Sequence, residues 1–122
     1  LTMQGDFTIG RLLHLVRLLN TRTDRGSIEW KPTPRMNPFG SKAFRTSTPS
    51  SSLTLSFNGR RHNIRIMDEN GSIVAEYSTG SDSPESHELD SELERLYDLV
   101  HVETSRVNES IERVIRELEG GL

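Results

Sequence analysis

Three short runs of alternating apolar residues, joined by connections of only a few residues, constrain this chain more than any other feature. Leu53, Leu55 and Phe57 lie two apart, as do Ile64 and Ile66, and then Ile73, Ala75 and Tyr77. Successive side chains on a strand point to opposite faces, so each set marks one face. Asn58-Gly59 opens the first connection, with His62 in its loop, and Asp68-Glu69-Asn70-Gly71 forms the second. The second has carboxylate and amide side chains for a type I turn, and Gly71 for the left-handed position that follows. Connections this short leave only neighbouring antiparallel strands, hence a meander.

Upstream, Ser27-Ile28-Glu29-Trp30-Lys31 alternates as a half-buried strand does. Pro32, Pro34 and Pro38, with Asn37 and Gly40, then predict an irregular loop over 32–41. Ala43 to Thr46 reads as a short strand, and Ser47 to Ser52 as a Ser/Thr/Pro loop. The sheet therefore spans 27–78 with about four to five strands.

A helix is predicted on each side of it. Asp6 is a candidate N-cap for a helix over 6–22, where Ile9, Leu12, Leu13, Val16 and Leu19 recur at helical spacing. Leu15 and Leu18 widen that stripe beyond a narrow seam. After a linker at 79–86, Leu89, Leu93, Leu96, Val100, Val107, Ile111, Val114 and Leu118 predict an acidic helix over 87–119. Their spacings alternate between four and three except at Glu103, a pattern shared by coiled-coil seams and by helices lying on a sheet. Ser86 or its neighbours can cap this helix. Val102, Thr104 and Ser105 weaken it, so a break is expected near 101–106. The fold class is α+β, in one domain covering 1–122.

The order of these features resembles a loose group of small uncharacterised bacterial proteins, many of them actinobacterial. The shared points are Leu18-Leu19-Asn20-Thr21, Gly26-Ser27-Ile28-Glu29-Trp30, Phe44, the turn at Asp68 to Ile73, and Leu93, Leu96 and Tyr97. The resemblance implies the helix, Trp strand, meander and helix layout. It implies no activity, since the group has none assigned.

Apolar residues are only 32% of the 122, which predicts a thin core or one completed by a partner. There is no cysteine, so disulfides and zinc-thiolate sites are excluded. No apolar run approaches the ~18–20 residues that span a bilayer, and the N-terminus lacks signal-peptide character, so a cytoplasmic protein is expected. Residues 1–67 carry eleven Lys/Arg against three acids, and residues 68–122 carry four against fifteen. An acidic helix packed beside a basic half neutralises much of that split; a nucleic-acid face is the other reading.

The chemistry-bearing residues do not assemble into a motif. His14, His62, His87 and His101 include no i, i+4 pair, and no metal site or cofactor is expected. Tyr97 and His101 are i, i+4 neighbours that can touch. The turn at Asp68 lacks the spacing of a calcium loop, and there is no Gly-x-Ser-x-Gly elbow or phosphate loop. No enzyme is expected. Trp30 is expected as a core anchor. Lys31, Arg35, Arg60, Arg61 and Arg65 are the candidate nucleic-acid contacts. The wide first helix and the heptad-like last one favour a protein-interaction domain, self-associating as a homodimer or docking on a protein partner. Leu15, Leu18, Leu96, Val107, Ile111 and Leu118 are its candidate interface residues.

Overall fold

Thr8 opens the first helix, α1 (Ile9–Asp24): its hydroxyl accepts from the Arg11 amide at 3.1 Å, satisfying one of the free donors of the first turn. The computed structural model describes residues 8–33, 42–80 and 83–120. Asp6, the cap expected from sequence, lies outside them. The helix ends where Gly26 takes a φ of +75°, letting the Ser27 amide reach back to the Arg22 carbonyl at 2.9 Å.

Five strands follow: β1 (Lys31–Pro32), β2 (Lys42–Thr48), β3 (Ser51–Phe57), β4 (His62–Asp68) and β5 (Ile73–Ser78). They form one antiparallel sheet in chain order, the expected meander. Its turns use the expected chemistry. The Asp68 carboxylate accepts from the Asn70 and Ser72 amides, both at 2.9 Å, and Gly71 follows at φ +83°.

Four details of the sheet differ from the sequence reading. The strand expected over 27–31 is reduced to Lys31–Pro32, because only those two residues pair with β2; Pro32 belongs to this edge strand rather than to the loop, and 34–41 lie outside the described residues. The expected Ser/Thr/Pro loop at 47–52 is a tight turn at Pro49-Ser50, since Ser47 pairs with Ser52 and Thr48 with Ser51. His62 is not in a loop but pairs with Phe57 as the first residue of β4. Between Ile66 and Met67 a bulge shifts the register, so Ile66 faces Ala75 while Met67 faces Ile73. Val74 is the extra residue, and Ile73 leaves the face that holds Ala75 and Tyr77.

The register sorts the sheet into two faces. Phe44, Leu55, Ile64 and Tyr77 form one row, and Thr46, Leu53, Ile66 and Ala75 the next. This face carries the core, and both helices lie on it. The opposite face is polar, with Arg45, Thr54, Arg65 and Glu76 in a row.

The last helix, α2 (Pro84–Glu119), has Ser83 as N-cap and Pro84 in its first turn, where a missing N–H costs nothing. It is one continuous helix of 36 residues, and the expected break near 101–106 does not occur. Thr104 turns its hydroxyl back to the Val100 carbonyl at 2.8 Å, satisfying itself inside the helix instead of interrupting it.

The two helices run side by side in the same direction. Arg17 pairs with Glu88, and one turn further along both helices the Asn20 amide donates to the Glu92 carbonyl and carboxylate, each at 3.1 Å. Leu12, Val16 and Leu19 of α1 and Leu89, Leu93, Leu96 and Val100 of α2 close over the sheet. Trp30 is buried as expected, its Nε1 donating to the Thr23 hydroxyl at 3.0 Å. This ties the end of α1 to the sheet edge.

Candidate functional site

At about 1.5 Å per residue, α2 is roughly 54 Å long, well beyond the body of the domain. Its apolar residues repeat. Leu89, Leu93, Leu96 and Val100 are spaced by four, three and four, as are Val107, Ile111, Val114 and Leu118, 18 residues later. Eighteen residues at 3.6 per turn is about five whole turns, so both sets lie on one face of one helix. The first set is wholly buried against α1 and the sheet. Among the described residues the second set is left about half exposed or more: Val107 is 56% exposed, Ile111 51%, Val114 53% and Leu118 70%, with Ile115 beside them at 40%. Apolar residues in a continuous row are unfavourable in water, unlike scattered single ones.

The candidate interface residues therefore separate. Val107, Ile111 and Leu118 are on the open stripe. Leu96 is 0% exposed and belongs to the monomer core, so it is closed to any partner. Leu15 is half-buried against that core, and Leu18 is exposed but several turns away, beside the Glu88 and Glu92 levels.

Where the projecting half leaves the body there is a cleft of about 450 Å³. Ile28, Trp30 and Pro32 form one wall, and Thr104, Val107 and Asn108 the other. Glu29, Lys31 and Glu103 stand at it with mixed charge. The cleft was not legible in the sequence, because its walls are more than seventy residues apart in the chain.

The candidate nucleic-acid contacts only partly converge. Lys31 pairs with Arg45, and Thr54 lies between Arg45 and Arg65, so three cations cross the polar sheet face in one row. Arg65 is held by Glu76, with Nε at 3.1 Å and Nη2 at 2.9 Å from the same carboxylate oxygen. Arg60 and Arg61 are exposed in the turn between β3 and β4, where the Asn58 side chain accepts from both their amides. Arg35 lies outside the described residues.

An aromatic cluster lies on the inner side of the sheet beneath α2. The His62 ring stacks on Phe57 at 4.4 Å, Tyr97 meets His62 edge-on at 5.1 Å, and Tyr97 and His101 make their expected contact at 6.1 Å. Burial pushes the His62 imidazole below its ordinary 6.5, against the opposing pull of Glu94 and Asp98. Among the described residues no hydrogen bond joins His62 to either carboxylate, and no group of three or more His, Asp or Glu is placed to hold a metal. The rings of Phe57, His62, Tyr97 and His101 pack against one another along this side of α2.

His62 also predicts a pH dependence. Its folded value is depressed, so the unfolded chain binds the proton more readily. The stability contribution is complete above 6.5 and is lost as pH falls from there through the lower folded value. Denaturant midpoints should therefore fall on acidification below pH 6.5, and His62→Phe should flatten that part of the profile.

No protein-family model, curated protein or solved structure matches this chain. Among the described residues no helix is long and apolar enough to cross a membrane.

Proposed function

We propose that this chain is a non-enzymatic, cytoplasmic interaction domain that self-associates through the projecting half of α2. One observation carries this reading: the apolar row that builds the core in the first half of α2 is repeated, uncovered, in the second half. A helix extending this far from its domain gains little by packing on itself, and short isolated helices are marginal in water. Burying its stripe against another chain supplies the missing stabilisation. Sedimentation equilibrium at micromolar concentration should give twice the chain mass, and a clean monomer mass would overturn the proposal.

A second reading rests on the row of Lys31, Arg45 and Arg65 across the polar sheet face, which suits phosphate contacts. Against it, Glu76 already neutralises Arg65, and no aromatic side chain stands in that row for bases to stack on. The expected result with labelled single- and double-stranded DNA and RNA is weak binding at low salt that disappears near physiological salt. Tight binding that survives salt and is lost in Arg45→Ala would move this reading to first place.

A further inference from the structure

We infer that two copies pair with their α2 helices antiparallel, each copy's Leu118 closing the Trp30 cleft of the other. This rests on the self-association proposed above and specifies its geometry. The first ground is spacing. Four, three, four reads the same in both directions, so the stripe matches itself when one helix is reversed. Val107 then faces the second copy's Leu118, and Ile111 its Val114. Each contact occurs twice about a two-fold axis, as an isologous interface requires.

The second ground is steric. Both sets of apolar residues share one face of α2, so the domain body sits on the side that carries the open stripe. A parallel, in-register pair would place two bodies at the same level on the facing sides of the two helices, where they collide. Reversing one helix sends the bodies to opposite ends and leaves only the projecting halves overlapped. It also aligns the helix dipoles favourably.

The third ground is the fit at the end of the overlap. With Val107 opposite Leu118, the incoming helix finishes at the level where the body begins, which is the cleft of about 450 Å³ lined by Ile28, Trp30, Pro32 and Val107. Leu118, the most exposed residue of the stripe, arrives at this apolar opening. Glu29, Lys31 and Glu103 stand at the cleft, two carboxylates against one cation, and its apolar walls of Ile28, Trp30, Pro32 and Val107 are what Leu118 would meet. The five stripe residues expose on the order of 500 Å² per copy, or about 1,000 Å² for two, which reaches the ~1,000 Å² expected of a specific interface before the cleft is counted.

The absence of native cysteine makes the arrangement directly testable by cross-linking. A disulfide needs Cα atoms within about 7 Å. In the antiparallel pair the two Val107 positions are eleven residues apart along the axis, about 16 Å. Oxidising Val107→Cys alone should give no cross-linked dimer. Mixing it with Leu118→Cys should give a covalent dimer containing one chain of each kind, resolved by a mass tag on one variant. Efficient cross-linking of Val107→Cys with itself would show a parallel pair and overturn this inference while leaving self-association intact. A monomer mass for the unmodified chain would overturn both. Trp30 is already buried within one chain, so the cleft is read by a second pair of variants. Mixing Pro32→Cys with Leu118→Cys should also give a covalent dimer containing one chain of each kind, and its absence while the Val107→Cys and Leu118→Cys pair cross-links would place Leu118 elsewhere.

Discussion

Leu93→Ala should lower the stability of the domain by about 3 kcal/mol, within the usual range for a buried leucine truncated to alanine. Leu93 is fully buried on the first half of α2, between α1 and the sheet. The substitution removes transfer free energy and leaves a cavity that three elements must collapse to fill. For a chain of this size the thermal midpoint should fall by roughly 10 °C. Leu93→Met, which conserves volume, should cost less than about 1.5 kcal/mol. Chemical denaturation at concentrations where the protein is monomeric separates this effect from association. A loss below about 1 kcal/mol would mean that α2 is held less firmly than its burial implies.

Ile111→Glu should have the opposite character. Ile111 occupies the same face as Leu93, 18 residues along, but is half exposed within this chain. In the monomer a charge there stays in water, so the body should melt within about 0.5 kcal/mol of the unsubstituted protein. In the proposed dimer the two-fold axis would place two carboxylates within the apolar seam. The dissociation constant should rise at least ~100-fold, equivalent to about 3 kcal/mol, and be read as a shift from dimer to monomer in sedimentation equilibrium. Retention of the dimer would exclude the stripe as the interface. Loss of the fold would show that the projecting half supports the body.

These two positions also show how far the sequence could be read. The spacing of Leu89 to Leu118 announced a helix with one apolar face, and the alternation around Leu55, Ile64 and Tyr77 announced the strands. Periodicity reports which face is apolar but not what lies against it. Leu96 and Val107 were therefore grouped as interface residues, although the body covers one and stops before the other. Deciding between them requires knowing where the sheet ends, a matter of three-dimensional size rather than pattern. The bulge at Val74 was invisible for a related reason. Ile73, Ala75 and Tyr77 keep perfect alternation in sequence, and only the pairing with Met67 reveals that Ile73 has changed faces. The break expected near 101–106 came from weighing the propensities of Val102, Thr104 and Ser105 alone, a weak prior that the continuous helix on either side overrides.

Pro32 has a consequence for how copies of this protein can join. A sheet can grow at an edge when an incoming strand finds free amides there. In β1 the Thr33 amide points inward, donating to the Ala43 carbonyl at 2.9 Å. Strand alternation therefore turns the Pro32 nitrogen outward, to the open edge, and that nitrogen bears no hydrogen. An added strand would meet an acceptor-only edge two residues long. At the other edge the bulge in β5 kinks the backbone that a newcomer would have to follow. Edge-to-edge polymerisation is obstructed at both ends of the meander, so the exposed apolar residues of α2 are not accompanied by a sheet edge that could template fibrils.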